Sequence, residues 1–216
     1  MSVLDPVSLL KTLPAVIIGL TVHEYAHAWM AFKLGDTTAR DMGRLTFNPI
    51  KHIDPIGFIF IVLAGFGWAK PVMFNPENLK NKHRDEIWIA LAGPLSNLIT
   101  GIFFFIVARV LVTLDFFNAT NIGHYVVNFL ITGGLINFGL FVFNLIPIPP
   151  LDGSHVYLTF LKVRNPNIFI LFNKYGTLAL FLLIILENQL KINVLPIMPV
   201  IRFFANIVYT LLQFPQ

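Results

Sequence analysis

Residues 14–29 read PAVIIGLTVHEYAHAW. They belong to an apolar run from about Pro6 to Phe32, longer than the roughly 20 residues needed to cross a hydrocarbon core of about 30 Å. Three ionisable groups, His23, Glu24 and His27, interrupt it within five positions. Such groups are expensive in a lipid-facing helix and mark function. Residues four apart lie one helical turn above each other, so both imidazoles reach one point while Glu24 stands close enough to act on a water bound there. An H-E-x-x-H helix is the pattern by which two histidines hold a divalent metal beside a general base.

The composition around this stretch agrees with a lipid solvent. Of 216 residues 56% are apolar and 12% charged, against about a quarter charged in soluble domains. Phe alone numbers 22, and the mean hydropathy is +0.75. The net charge is +4, but the basic residues form no run that would make one face strongly positive, so no nucleic-acid partner is expected. Without cysteine there is no disulfide framework, thiolate metal site or cysteine nucleophile. A metal here must use His, Asp or Glu.

A window of about 19 residues finds five blocks long enough to span: about 6–32, 87–117, 123–150, and two weaker ones near 168–186 and 194–214. Residues 55–69, short and broken by Gly57, Gly65 and Gly67, read as a re-entrant or interfacial piece. The expectation is an all-α polytopic membrane protein of about five transmembrane helices. It forms one domain over 1–216, with a catalytic core at about 6–155 and additional helices at about 168–214. Short β-strands are expected in the first loop, at 37–48 and 67–75, where β-branched and aromatic residues mix with Gly and Pro. Residues 78–86 read as an exposed linker. Eight basic residues, Lys33, Arg40, Arg44, Lys51, Lys70, Lys80, Lys82 and Arg84, lie between the first two blocks. Short cytoplasmic loops carry such an excess, which puts the N-terminus outside and the active site near the cytoplasmic side. The first block lacks a preceding basic region and a small-residue cleavage site, so it reads as a retained anchor.

A zinc that keeps one open position takes three protein ligands. His124 falls on the opposite side of the membrane and His83 in the linker, whereas Asp152 lies at the level of His23 and His27. His52, Asp54 and His155 also remain compatible with the spacing. Asp36 and Asp41 read as solvated loop charges. Asn137 and Asn144, seven apart, share a helix face, and an amide in lipid should face a partner helix or cavity. Tyr25 and Trp29 read as lipid- or core-facing aromatics.

Three separated motifs resemble the site-2 protease family of intramembrane zinc metalloproteases. They are His23 to His27, Ala92-Gly93-Pro94-Leu95-Ser96-Asn97 as a G-x-x-x-N element, and Asn144 to Gly153 as the family's N-x-x-P and D-G segment. The loop text Gly43 to Pro49, followed by His52 to Pro55, looks like the compact prokaryotic members. The likeness covers roughly Thr21 to His155, and 216 residues leave no room for a PDZ or CBS domain. The resemblance implies one Zn²⁺ per chain on His23, His27 and Asp152, with Glu24 as catalytic base. Asn144 and Asn97 would contact substrate, and transmembrane proteins would be cleaved in the cell membrane of a prokaryote. A helical substrate must unwind before attack, and the strand-like parts of the first loop, at Thr46–Pro49 or Trp68–Phe74, offer an edge on which it could extend. A metal transporter would instead want ionisable residues along several spans, which blocks two and three lack. A metal-dependent lipid-modifying enzyme would want more histidine motifs than six histidines supply.

Overall fold

The computed structural model describes residues 6–64, 67–190 and 197–212. Helix α1 (Pro6–Lys33) leads to a short α2 (Thr38–Asp41), then to α3 (Pro55–Ala64) and the long α4 (Lys82–Val112). A brief α5 (Asp115–Ala119) precedes α6 (Asn121–Asn144), followed by α7 (Asp152–Arg164), α8 (Pro166–Leu190) and α9 (Ile197–Leu211). Helices α1, α4 and α6 form the central three-helix unit, with α9 against α6 and α7 against α4. Helix α8 packs chiefly on α7 and leaves most of its surface to the surroundings.

The central helices interlock through small residues opposite rings. A Cβ on Gly133 or Gly134 would lie 2.6 Å from Phe104 or Phe105, and one on Gly101 would lie 2.7 Å from Phe138. Where lipid is as apolar as leucine, this close approach holds helices together. Phe105, Phe138 and Val208 form the buried centre, which Ile201 and Phe204 of α9 cover.

Three helices, Lys82–Val112, Asn121–Asn144 and Pro166–Glu187, are long and apolar enough to cross a membrane. Together with the composition they make the chain an all-α integral membrane protein. Of the five expected spans, those near 87–117, 123–150 and 168–186 correspond to these. The block near 194–214 contains α9, whose 15 residues reach only about 22 Å at 1.5 Å per residue; residues 194–196 and 213–214 lie outside the described residues. The 55–69 block holds α3, ten residues long and too short to span. Its Gly65 also lies outside the described residues.

Several expectations about the first loop are corrected. Among the described residues no β-ladder forms: residues 38–41 are helical, and the irregular segment 67–75, a strap across the bundle, makes a single antiparallel bridge, Ile53 with Ala69. A lone strap has no second strand of this chain to pair with. Residues 78–86 are not a fully exposed linker either, since Leu79 and Asp85 are buried and α4 begins at Lys82. Asp36, expected to be solvated, is fully buried. It accepts hydrogen bonds from Thr38 Oγ1 (2.6 Å), Asn78 Nδ2 (2.7 Å), Asn75 N–H (2.9 Å) and Thr38 N–H (3.2 Å). These bonds fasten the strap's far end to the end of α1.

Candidate metal centre

The helical register of α1 brings His23 Nε2 and His27 Nε2 to 3.0 Å from each other. Asp152, the first residue of α7, places Oδ2 3.1 Å from the first and 3.4 Å from the second. Asp152 therefore opens a helix instead of closing one. Its loop is fixed by a backbone approach that only glycine permits: a Cβ on Gly153 would lie 2.2 Å from Leu145 O.

The outer nitrogens of both imidazoles determine their protonation. His23 Nδ1 lies 2.7 Å from Asn97 Oδ1 and His27 Nδ1 lies 2.7 Å from Ile89 O. Both partners only accept, so each Nδ1 carries a hydrogen, and Nε2 is the nitrogen that each ring turns inward to ligate. Pro94 lies inside α4 just beyond this turn and has no N–H to give the Ala90 carbonyl. Asn97 is itself held, its Nδ2 donating to Gly19 O and Asn137 Oδ1, both at 3.0 Å. Asn137 Nδ2 donates in turn to Gly133 O at 2.8 Å.

Two lone pairs and a carboxylate oxygen converging in a buried space repel one another unless a cation lies between them. Asp152 Oδ2 is buried without a hydrogen-bond partner, as expected of an atom whose partner is an ion. Ligands about 2.0–2.1 Å from a tetrahedral zinc stand roughly 3.3 Å apart, close to the 3.0, 3.1 and 3.4 Å found here. The donor set therefore fits zinc. Among the described residues this is the group of His, Asp and Glu side chains disposed to hold a metal. Gly93 lies directly against it: a Cβ there would sit 2.2 Å from His27 Nε2 and 2.6 Å from His23 Cε1.

The cluster forms one wall of a cavity of about 540 Å³, into which Glu24, Asn144, Val72, Trp68 and Phe181 also face. Glu24 is buried, with Oε2 accepting from the Val72 N–H at 3.1 Å. The other candidates lie elsewhere. His52 is buried but bonds through Nε2 to Thr46 O (2.7 Å), and Asp54 Oδ1 accepts from Gly57 N–H (2.8 Å) at the start of α3. His155 is exposed at the cavity and stands outside the cluster; His83 and His124 are exposed. Asn97, expected against substrate, is fully buried behind His23 and does not line the cavity; its amide is consumed within the protein. Sequence reasoning missed this role, and it missed the Val72 amide and Arg44 beside Glu24. Two buried asparagines near the motif were the only signal for the first.

The sequence matches the family described as Peptidase family M50 over residues 11–124 and 111–186. It is 42% identical over 154 residues to a Bacillus subtilis (strain 168) protein named "Putative zinc metalloprotease YwhC", covering 70% of this chain and 69% of that one. Rip2 of Mycolicibacterium smegmatis carries the same description; it is 28% identical over 143 residues, 63% of this chain and 52% of its own. The Rip2 of Mycobacterium tuberculosis H37Rv is 29% identical over 142 residues, again 63% and 52%. No solved structure matches the chain. With most of its length matched and two imidazoles converging on a carboxylate beside a buried glutamate, the chain belongs to peptidase family M50, the site-2 protease family of zinc metalloproteases.

Proposed function

We propose that the chain is an intramembrane endopeptidase that hydrolyses peptide bonds in or next to transmembrane segments of membrane proteins, with His23, His27 and Asp152 holding one Zn²⁺. The observation that carries this reading is the convergence of two histidine Nε2 atoms and Asp152 Oδ2 on one wall of a cavity within an apolar helix bundle. Zinc held there supplies a Lewis acid and lets water act as a nucleophile near neutral pH. Glu24, one residue from a ligand and facing the cavity, takes the proton from the attacking water and returns it to the leaving amine. Asn144, on the same cavity, is placed to bond the backbone of the bound substrate. Water enters from the cytoplasmic side, where the exposed His155 and the half-buried Glu86 line the cavity.

The substrate unwinds locally, and its freed amides need partners in lipid. The strap 67–75, which has a single bridge to its own chain, offers its edge by strand addition. Residues 46–49 instead turn into a short 3₁₀ segment and make a poorer edge. The chain lies in the cell membrane of a prokaryote with its N-terminus outside, α1 and α9 joining the three long helices.

Purified protein incubated with a single-span substrate tests the assignment. Wild type cleaves and Glu24→Gln does not, while His23→Ala and Asp152→Ala lose zinc. Equal cleavage by wild type and Glu24→Gln overturns the role of Glu24, and full zinc content in Asp152→Ala overturns the third ligand.

A further inference from the structure

The loop from Gly43 to Asp54 carries a cation that the reaction above does not use. Gly43 has a left-handed backbone, φ 69°, which glycine adopts at little cost. Its N–H donates to Arg40 O at 2.8 Å, and the Arg44 N–H donates to Ala39 O at 2.9 Å. This turn sends Arg44 inward, where it is 4% exposed. A buried guanidinium without a counter-charge is strongly unfavourable, and the carboxylate that faces this one is Glu24, with Nη2 4.0 Å from Oε2.

The same Nη2 donates to Lys70 O, while the Lys70 N–H donates to His52 O at 2.7 Å. The loop thus holds Lys70 of the strap from both sides. Two residues further on, Val72 gives its N–H to Glu24 Oε2.

We propose that Arg44 is a positioning residue for the reaction: directly, and through the strap residues Lys70 to Val72, it fixes one carboxylate oxygen of Glu24 so that the other is free to accept the proton. The segment that receives the substrate is then also the segment that aligns the base, so the base is in place only when the strap is seated. This inference rests on the reading of Glu24 as the base, and the test separates the two.

Arg44→Gln, Arg44→Lys, Glu24→Gln and the exposed-site control Arg40→Gln are compared with wild type. The readouts are zinc content, kcat and KM on a single-span substrate, and amide hydrogen exchange across residues 67–73. Arg44→Gln is expected to keep its zinc, to exchange faster over 67–73 and to change KM less than kcat. Its kcat falls about 10- to 100-fold, as a displacement of about 1 Å does. Arg44→Lys keeps the charge but loses the fork, and recovers part of kcat; Arg40→Gln matches wild type. Should Arg44→Gln fail to fold, Val72→Pro, which deletes the N–H on Glu24, is expected to lower kcat equally at full zinc content. Wild-type kcat in either variant, or a loss carried wholly by KM or by missing zinc, overturns the role of Arg44. Full cleavage by Glu24→Gln overturns the underlying assignment instead.

Discussion

Replacing Asn97 with leucine, which has the same branching and number of side-chain heavy atoms and good helix propensity, removes the acceptor that seats the His23 proton on Nδ1, 2.7 Å away. Without it the tautomer protonated on Nε2, which cannot ligate, competes with the ligating one. Loss of such an outer partner costs about 10- to 100-fold in metal affinity, or about 1.4–2.7 kcal/mol. The substitution also strips Asn137 Oδ1 of its 3.0 Å donor, and a buried acceptor left unpaired costs roughly 1–3 kcal/mol of fold stability. The two effects separate experimentally. Titration with zinc against a competing chelator reads the first. Thermal melting of apo and zinc-loaded protein reads both, because bound ligand stabilises by RT ln(1 + [L]/Kd). At fixed zinc a 100-fold weaker site forfeits about 2.7 kcal/mol of zinc-dependent stabilisation beyond any loss in the apo protein. An unchanged zinc Kd, with both forms destabilised equally, would refute the orienting role and leave Asn97 a purely structural link between α1, α4 and α6.

Other consequences are open to measurement. Gly93→Ala pushes a methyl to within 2.2 Å of His27 Nε2 and is expected to abolish zinc binding while α4 still forms; wild-type zinc content in a folded Gly93→Ala protein refutes the close approach. Met73→Pro, in the exposed part of the strap, is expected to raise KM by blocking strand addition, and unchanged kinetics would sink that mode of substrate capture. Burial alone would raise the Asp36 carboxyl, but hydrogen bonds from Thr38, Asn78 and the Asn75 amide outweigh it and hold the group below its ordinary 3.8. A depressed value in the folded state stabilises at pH above the unfolded value and is lost as pH falls through the folded one. Melting temperature should therefore drop more steeply below about pH 4 in wild type than in Asp36→Asn; parallel curves would contradict the clamp.

What the sequence revealed and what it hid follow from the range of the forces involved. The i, i+4 spacing of His23 and His27 is local geometry, and it returns as a 3.0 Å approach of Nε2 atoms. Membrane level made Asp152 one candidate among several and the family resemblance singled it out, whereas its place at the head of α7 was not legible, because Asp-Gly favours a turn. Asn137 stood out as an amide in lipid and Asn97 as part of the G-x-x-x-N element, yet their bond joins residues 40 apart and no periodicity encodes it. Composition suggested strands at 37–48 and 67–75, but strand propensity is realised only beside a partner, and the chain supplies a single bridge. Asp36 looked like a solvated charge because the donors that bury it come from Asn75 and Asn78, far along the chain.

His23, Glu24 and His27 are buried and Asp152 half-buried, and the proposal is that these four cut peptide bonds at membrane depth. Mass-spectrometric mapping of the products from a single-span substrate, reconstituted with wild type and with Glu24→Gln, tests it most directly. Wild type alone is expected to cleave, at a bond inside the apolar span near its cytoplasmic end. Cleavage confined to the water-exposed flanks, or the same products from Glu24→Gln, would contradict it.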